Sequence, residues 1–269
     1  MGEIAVLGGG NLGRALAHGW ARSARFAPAS IQVTRRQAEK LDDLAAEGFP
    51  VGADNRAAVA ACGVIVVAVQ PQQLDALLTE IAPALDPARH RLISVVSGAS
   101  IAQLRRRVGE DVPVVRAMPN TAVSIGESMT CLAAEERCER ALAEAKALFD
   151  DVGRTLVIQE EMMVPATALC ACGVAFFLRC IRAASQGGIE IGFHPEEALL
   201  LAGQTAKGAA ALSLKEDTHP EGEIDRVTTP RGCTIVGLNE MEHQGLSSAL
   251  IKGLIVSARA AESLYTGGE

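Results

Sequence analysis

Aromatic side chains are scarce, 3% of the 269 residues, with one tryptophan and one tyrosine. That excludes a core built on large rings. Packing falls to Ala, Val, Leu and Ile, with close helix contacts on Ala and Gly. Basic residues are outnumbered, 25 Lys and Arg against 32 Asp and Glu, for a net charge of −7. Nucleic acid is therefore not expected as a main partner, since phosphate binding rests on basic surface. No run of about 18 uncharged apolar residues stands out as a membrane span. The first residues, MGEIAVLGGG, lack the cationic segment of a secretory signal. The seven cysteines are odd in number and irregularly spaced. This argues against a disulfide framework and for a reducing cytoplasm. No Pro/Ser/Gly linker, internal repeat or low-complexity tract interrupts the chain.

What is present is an ordinary globular composition, 49% hydrophobic and 21% charged. The N-terminal half alternates short apolar runs with helical patterns. EIAVLGGGNLG begins it; IQVTRR, GVIVVAVQPQ, RLISVVSG and PVVRAMPN follow, and SMTCLAA and RTLVIQ add two more runs. Strands alternating with helices imply a parallel sheet covered on both faces. Beyond Met162 helix formers dominate. The expected architecture is α/β: a Rossmann-like, doubly wound parallel sheet over residues 1–160, followed by an all-α domain over 161–269.

The glycine turn carries the first chemistry. Gly8, Gly10 and Gly13 fit G-x-G-x-x-G directly after an apolar strand and before a helix, the context that gives the pattern its value. Gly8 permits the tight turn, Gly10 lets backbone approach a pyrophosphate, and Gly13 allows the helix to pack on the strand. The helix start at Asn11, Leu12 and Gly13 offers free N–H groups to phosphates. A turn that merely needs glycine is the plain alternative.

Cofactor choice is read at the end of the second strand. An NAD-binding fold usually has an acid there for the ribose hydroxyls. Here Thr34 replaces it and Arg35 and Arg36 follow. A carboxylate repels a 2′-phosphate and a guanidinium pairs with it, so the sequence leans to NADPH, with NADH the weaker cofactor. Two solvated surface arginines are the alternative. Asn55 is placed to reach the same ribose from the next loop. AVQPQ and RAMPN fall at carboxyl ends of strands, where ligands of such sheets bind. Ala68, Val69, Pro71, Met118, Pro119 and Asn120 are thus candidates for the nicotinamide half, although the prolines could simply stop strands.

Taken in order, LGGGNLG, AVQPQ, RAMPNT and DRVTTPRGCTIVGL make the whole chain resemble the pyrroline-5-carboxylate reductases. The last loop is the most specific of these motifs. The resemblance implies reduction of Δ1-pyrroline-5-carboxylate to L-proline with NAD(P)H. It also implies a C-terminal domain that dimerises and binds substrate, with dimers often assembled into decamers. It assigns the carboxylate of a small cyclic imino acid to Thr229, Gly232, Cys233 and Thr234, with the Thr234 hydroxyl at the imine nitrogen directly or through a water. A loop entering a helix N-terminus suits such an anion. A plain interhelical turn with capping threonines is the alternative.

A protonated imine accepts hydride readily, so no histidine acid is required. The five histidines, at 18, 90, 194, 219 and 243, are expected to be surface or structural. The chain departs from the family pattern at Gln70, where lysine is usual, and at Cys170, Cys172 and Val174 within ALCACGVAF. It departs again at Arg231, where glycine is usual. These positions bear on which imine is the substrate, a related cyclic imino acid being one alternative and a low-turnover NADP(H) sensor another. Cys170 and Cys172 lack further ligands for zinc and are expected to be buried packing residues; no metal is expected.

Overall fold

The apolar runs of the N-terminal half become strands of one sheet in the structure, a computed structural model that describes residues 3–215 and 218–265. The strands are β1 (Ile4–Leu7), β2 (Ile31–Thr34), β3 (Val51–Gly52), β4 (Val64–Val67), β5 (Arg91–Ser94), β6 (Val114–Met118), β7 (Ser128–Ala134) and β8 (Gly153–Val157). Their order is β3-β2-β1-β4-β5-β6-β7-β8. The first six reproduce the doubly wound dinucleotide-binding order. The two-residue β3 after Pro50 is too short to leave a periodic signal.

One pairing corrects the expected all-parallel sheet: β6 runs antiparallel to β7. Only residues 119–127 connect them, too few for the crossover a parallel pair needs. A left-handed Gly126, φ 75°, closes that turn.

The helices are α1 (Asn11–Arg22), α2 (Asp42–Ala46), α3 (Asn55–Ala61), α4 (Leu74–Ile81), α5 (Ile101–Val108), α6 (Glu139–Asp150), α7 (Met163–Ala166), α8 (Gly173–Glu190), α9 (Pro195–Ser213), α10 (Pro220–Val227), α11 (Cys233–His243) and α12 (Leu246–Glu262). Strand β1 shows why both faces of the sheet are dry. Ile4 and Val6 join Leu16, Trp20 and Phe149 on one side. Ala5 and Leu7 join Val59, Leu74, Leu78 and Leu104 on the other. Trp20 is fully buried and its Nε1–H donates to the Leu148 carbonyl at 2.9 Å, satisfying the one polar atom of the ring.

The chain forms two compact units, residues 1–172 with 257–269, and residues 173–256. The first therefore extends beyond the expected boundary at residue 160. Glu160 accepts from the Ile101 amide at 2.6 Å and from the buried Arg116 guanidinium at 3.1 Å. Met163 and Ala166 bury against Met118, Cys131 and Ala133. The end of α12 also returns to this unit: Ala261 is buried and the Tyr265 hydroxyl donates to Asp75 at 2.5 Å.

Among its described residues the second unit contains helices and no strand. Gly188 lets α8 approach Ala198 of α9, where an added Cβ would stand 3.1 Å from the alanine methyl. Among the described residues one helical run, Glu160–Glu190, is long and apolar enough to cross a membrane by length and composition, its most apolar 18-residue stretch having mean hydropathy 1.9. No such segment was expected. Met162 to Leu178 carry no charge, and small Ala, Cys, Gly and Thr residues disguise the run.

Candidate active site

Strand register sets the height of the glycine turn. Leu7 pairs with Thr34 on one side and Val67 on the other. Residues 8, 35 and 68 thus leave the sheet at one level, at the carboxyl ends of three adjacent strands. The Gly8 and Gly9 amides both donate to the Thr34 carbonyl, at 3.0 and 2.8 Å. The Arg35 guanidinium donates to the Gly9 carbonyl at 3.1 Å. The turn is therefore pinned to the end of β2 by backbone and side chain together.

The three motif glycines occupy different physical situations. Gly8 has φ +117°, and a Cβ there would meet the Ala68 carbonyl oxygen at 2.5 Å. At Gly13 a Cβ would lie 2.1 Å from the Gly8 carbonyl oxygen, so only glycine lets α1 sit this close to the turn. Gly10 has nothing within 4 Å of its would-be Cβ. It is the N-cap of α1 and supplies no side-chain hydrogen bond. The first-turn amides of Asn11, Leu12 and Gly13 thus lack a capping side chain beneath open space, the arrangement that accepts an anion.

At the end of β2, Thr34 is fully buried and its hydroxyl donates to Asn55 Oδ1 at 2.6 Å. The Asn55 amide nitrogen donates to both Glu80 oxygens, at 3.2 and 3.1 Å. Thr34 and Asn55, far apart in sequence, are thereby brought together, and Asn55 is held in one orientation. Glu80 was not anticipated; as one acid on an amphipathic helix, it gives no local signal. Arg35 is half-buried and Arg36 exposed. No carboxylate ends β2, so this end of the site suits a phosphorylated ribose.

Ala68 and Val69 are half-buried beside the turn, and Pro71 opens a 3₁₀ turn that leads into α4. Gln70 is exposed. Met118, Pro119 and Asn120 are all buried and do not line an open crevice with their side chains. Asn120 accepts from the Ala122 amide at 3.0 Å and donates to the Cys170 carbonyl at 3.2 Å. Its side chain clamps the loop after β6.

The threonine-rich loop lies in the second unit between α10 and α11. Thr228 caps α10, its hydroxyl donating to the Ile224 carbonyl at 2.7 Å. The Gly232 amide donates to the Thr229 carbonyl at 2.9 Å, and a Cβ on Gly232 would stand 2.5 Å from the Thr229 hydroxyl. Gly232 is the N-cap of α11, again without a side-chain cap. The first-turn amides, including those of Cys233 and Thr234, lack a capping side chain. Arg231 adopts φ 60°, the left-handed region that disfavours any residue with a Cβ. Cys233 is exposed, and Cys170 and Cys172 are half-buried. The latter two were expected to be buried, but both lie in a single π-helical turn, Thr167–Cys172, which leaves them partly uncovered.

His18, His90 and His194 make local contacts within the fold. His90 is buried, accepts from the Asp86 amide at 2.7 Å and lies 3.2 Å from the Val59 carbonyl. Burial holds its pKa below the usual value. His18 pairs with Glu47 at 3.0 Å, and the His194 amide donates to Glu197 at 3.0 Å. No group of three or more potential metal ligands occurs among the described residues. A cavity of about 440 Å³ lined by Arg25, Phe26, Arg91, Ile93 and Leu148 opens at the amino ends of the strands. It is at the opposite end of the sheet from the glycine turn.

Two family models match successive parts of the chain. Residues 160–264 match the family model for pyrroline-5-carboxylate reductase dimerisation, and residues 3–98 match one described as NADP oxidoreductase, coenzyme F420-dependent. The chain is 51% identical to pyrroline-5-carboxylate reductase 1 of Dictyostelium discoideum over 98% of its length, and spans 50% of that relative. It is 48% identical to pyrroline-5-carboxylate reductase 2 of the same organism, over 95% of this chain and 91% of the relative. Among solved structures, a pyrroline-5-carboxylate reductase from Coxiella burnetii is similar with TM-score 0.86 and 28% identity, covering 99% of both chains. A Plasmodium falciparum pyrroline carboxylate reductase with NADP bound shares the fold, with TM-score 0.87, 24% identity and 97% of both chains covered.

Proposed function

The chain belongs to the pyrroline-5-carboxylate reductase family, and from that premise we propose that it reduces L-Δ1-pyrroline-5-carboxylate to L-proline with NADPH. The observation that carries this reading is the open, uncapped helix start over Gly10, flanked at Gly8 and Gly13 by positions that admit no side chain. Nothing but glycine fits the flanks, and nothing of the protein fills the middle.

The residues present fit the dinucleotide. The Asn11, Leu12 and Gly13 amides hold its pyrophosphate. Arg35 and Arg36 would receive the phosphorylated ribose, with the buried Thr34 holding Asn55 beside them, and the backbone around Ala68, Val69, Pro71 and Met118–Asn120 would receive the nicotinamide half. When bound, the reduced nicotinamide supplies the hydride. The loop over Thr229, Gly232, Cys233 and Thr234 grips the substrate carboxylate through main-chain N–H groups. The Thr234 hydroxyl sits at the imine nitrogen and orients it. These residues hold and orient reactants, which is sufficient for an imine already activated by protonation.

Assembly is part of the proposal. A homodimer covers the exposed apolar residues of the helical unit, such as Phe177, Leu178, Leu200 and Ile251. The dimerisation family match supports this over a membrane role for the Glu160–Glu190 helix, and a decamer of such dimers is the larger form. We also place the protein in the cytoplasm, on the odd number and irregular spacing of its seven cysteines.

The test is NADPH oxidation followed with five-membered and six-membered cyclic imino acids. Rapid oxidation with the five-membered ring is expected. Preference for the six-membered ring would reassign the substrate, a result Arg231 makes worth checking. Tight NADPH binding with no turnover on either would overturn the enzymatic reading.

A further inference from the structure

Two thiols meet behind the loop after β6. Cys131 of β7 lies directly across the ladder from Met118. Its Sγ is 3.8 Å from the Sγ of Cys170, which lies in the π-helical turn Thr167–Cys172. The carbonyl of that same Cys170 accepts from Asn120 at 3.2 Å. The pair therefore touches both strands that flank the loop and the turn that the loop's asparagine holds. π-Turns often mark functional positions, because the extra residue distorts the helix at a cost.

We propose that Cys131 and Cys170 are a reversible oxidation site, converted by hydrogen peroxide into an intramolecular disulfide that ties the π-turn to β7. Disulfide sulfurs lie about 2.05 Å apart, so the two must close by somewhat under 2 Å. Side-chain rotation within an irregular helical turn can supply that. The two thiols are unequal. Cys170 is half-buried and reachable, whereas Cys131 is buried. Either sulfur can donate in this contact; with the less buried Cys170 as the acceptor, the Cys131 S–H lowers the Cys170 pKa to about 7 despite partial burial. The same contact, with burial, raises that of Cys131. Partial exposure with thiolate character is what distinguishes reactive cysteines from inert ones.

The order of events follows. The Cys170 thiolate attacks one peroxide oxygen, the O–O bond breaks, and hydroxide leaves with a sulfenic acid on Cys170. The Cys131 sulfur then attacks the Cys170 sulfur, the S–O bond breaks and the second hydroxide departs. With the two thiol protons these make two waters, and the two electrons lost by the thiols reduce the peroxide. Cys172, two residues along the same turn, makes no sulfur–sulfur hydrogen bond among the described residues and serves as the internal control. The proposal concerns thiol chemistry alone and does not depend on the reductase reading.

The test treats the full-length protein with stoichiometric hydrogen peroxide, blocks free thiols, digests with trypsin without reduction and maps peptides by mass. The expected product joins the peptide of Cys131 to that of Cys170, with loss of two hydrogens and reversal by dithiothreitol. It should form equally in Cys172→Ser and be absent from Cys131→Ser and Cys170→Ser. In Cys131→Ala, alkylation of Cys170 by iodoacetamide at neutral pH should fall several-fold, because the donor to its thiolate is gone. A link only between Cys170 and Cys172, links only between separate chains, or no link at all would overturn the proposal.

Discussion

The Thr34 hydroxyl donates to Asn55 Oδ1 across 2.6 Å, and Asn55 in turn is held by Glu80. The end of β2 thus presents a neutral, already satisfied threonine where an acid would select NADH. The cations beside it decide cofactor preference. Arg36→Ala is expected to raise the KM for NADPH roughly tenfold or more, the scale of one lost charge-assisted hydrogen bond, while leaving that for NADH within about twofold. Arg35→Ala should harm both cofactors, because its guanidinium also braces Gly9. Initial rates with each cofactor check this, and equal losses for both in Arg36→Ala would show a solvated surface cation.

Thr234→Ala should lower turnover on the order of 10²-fold, the usual scale for removing one hydroxyl aimed at the reacting group. NADPH affinity, read by titration without substrate, should stay unchanged. An unaltered turnover number would remove this hydroxyl from the mechanism.

Arg231 holds a left-handed backbone at φ 60°, which costs a residue with a Cβ about 1–2 kcal/mol. Arg231→Gly releases that strain but loosens the unfolded chain by about 0.5–1 kcal/mol. A net gain of about 0.5 kcal/mol is expected, and Arg231→Val should be clearly worse than wild type. Urea midpoints of the three proteins decide it.

His90 supplies a pH dependence. Burial lowers its folded-state pKa below the ordinary 6.5, so the unfolded chain binds the proton more readily. Stability is then fully present above pH 6.5, falls as pH drops through that value, and levels off once the folded-state value is passed. His90→Gln should flatten the fall in urea midpoint between about pH 7.5 and pH 5, a window above the carboxylates at Asp43, Glu135 and Asp150, whose pKa values are lowered. An undiminished slope in the variant would assign the dependence to another group.

Local features were legible in the sequence. The strand before Gly8, the helix after Gly13 and the change to helices in the last hundred or so residues are all written in contiguous pattern. The structure adds why the turn tolerates only glycine at two places. Relations made by packing were not legible. Glu80 beneath Asn55, Glu160 on the buried Arg116, and Cys131 against Cys170 each join segments with no shared local pattern. The antiparallel β7 was missed because an apolar run carries no direction. The boundary between the compact units, at residues 172–173, lies inside one continuous helical run that leaves no break in pattern, while the dimerisation family match begins at residue 160.

The fully buried Trp20 has a practical consequence. It is the sole tryptophan, and Tyr265 the sole tyrosine; both belong to the sheet-containing unit, and residues 173–256 hold neither. Intrinsic fluorescence therefore watches one half of the molecule and is blind to the other. Far-ultraviolet circular dichroism sees both. Superimposable melting curves from the two methods would mean that the halves come apart as one cooperative body, and a lag between them would measure how independently they unfold.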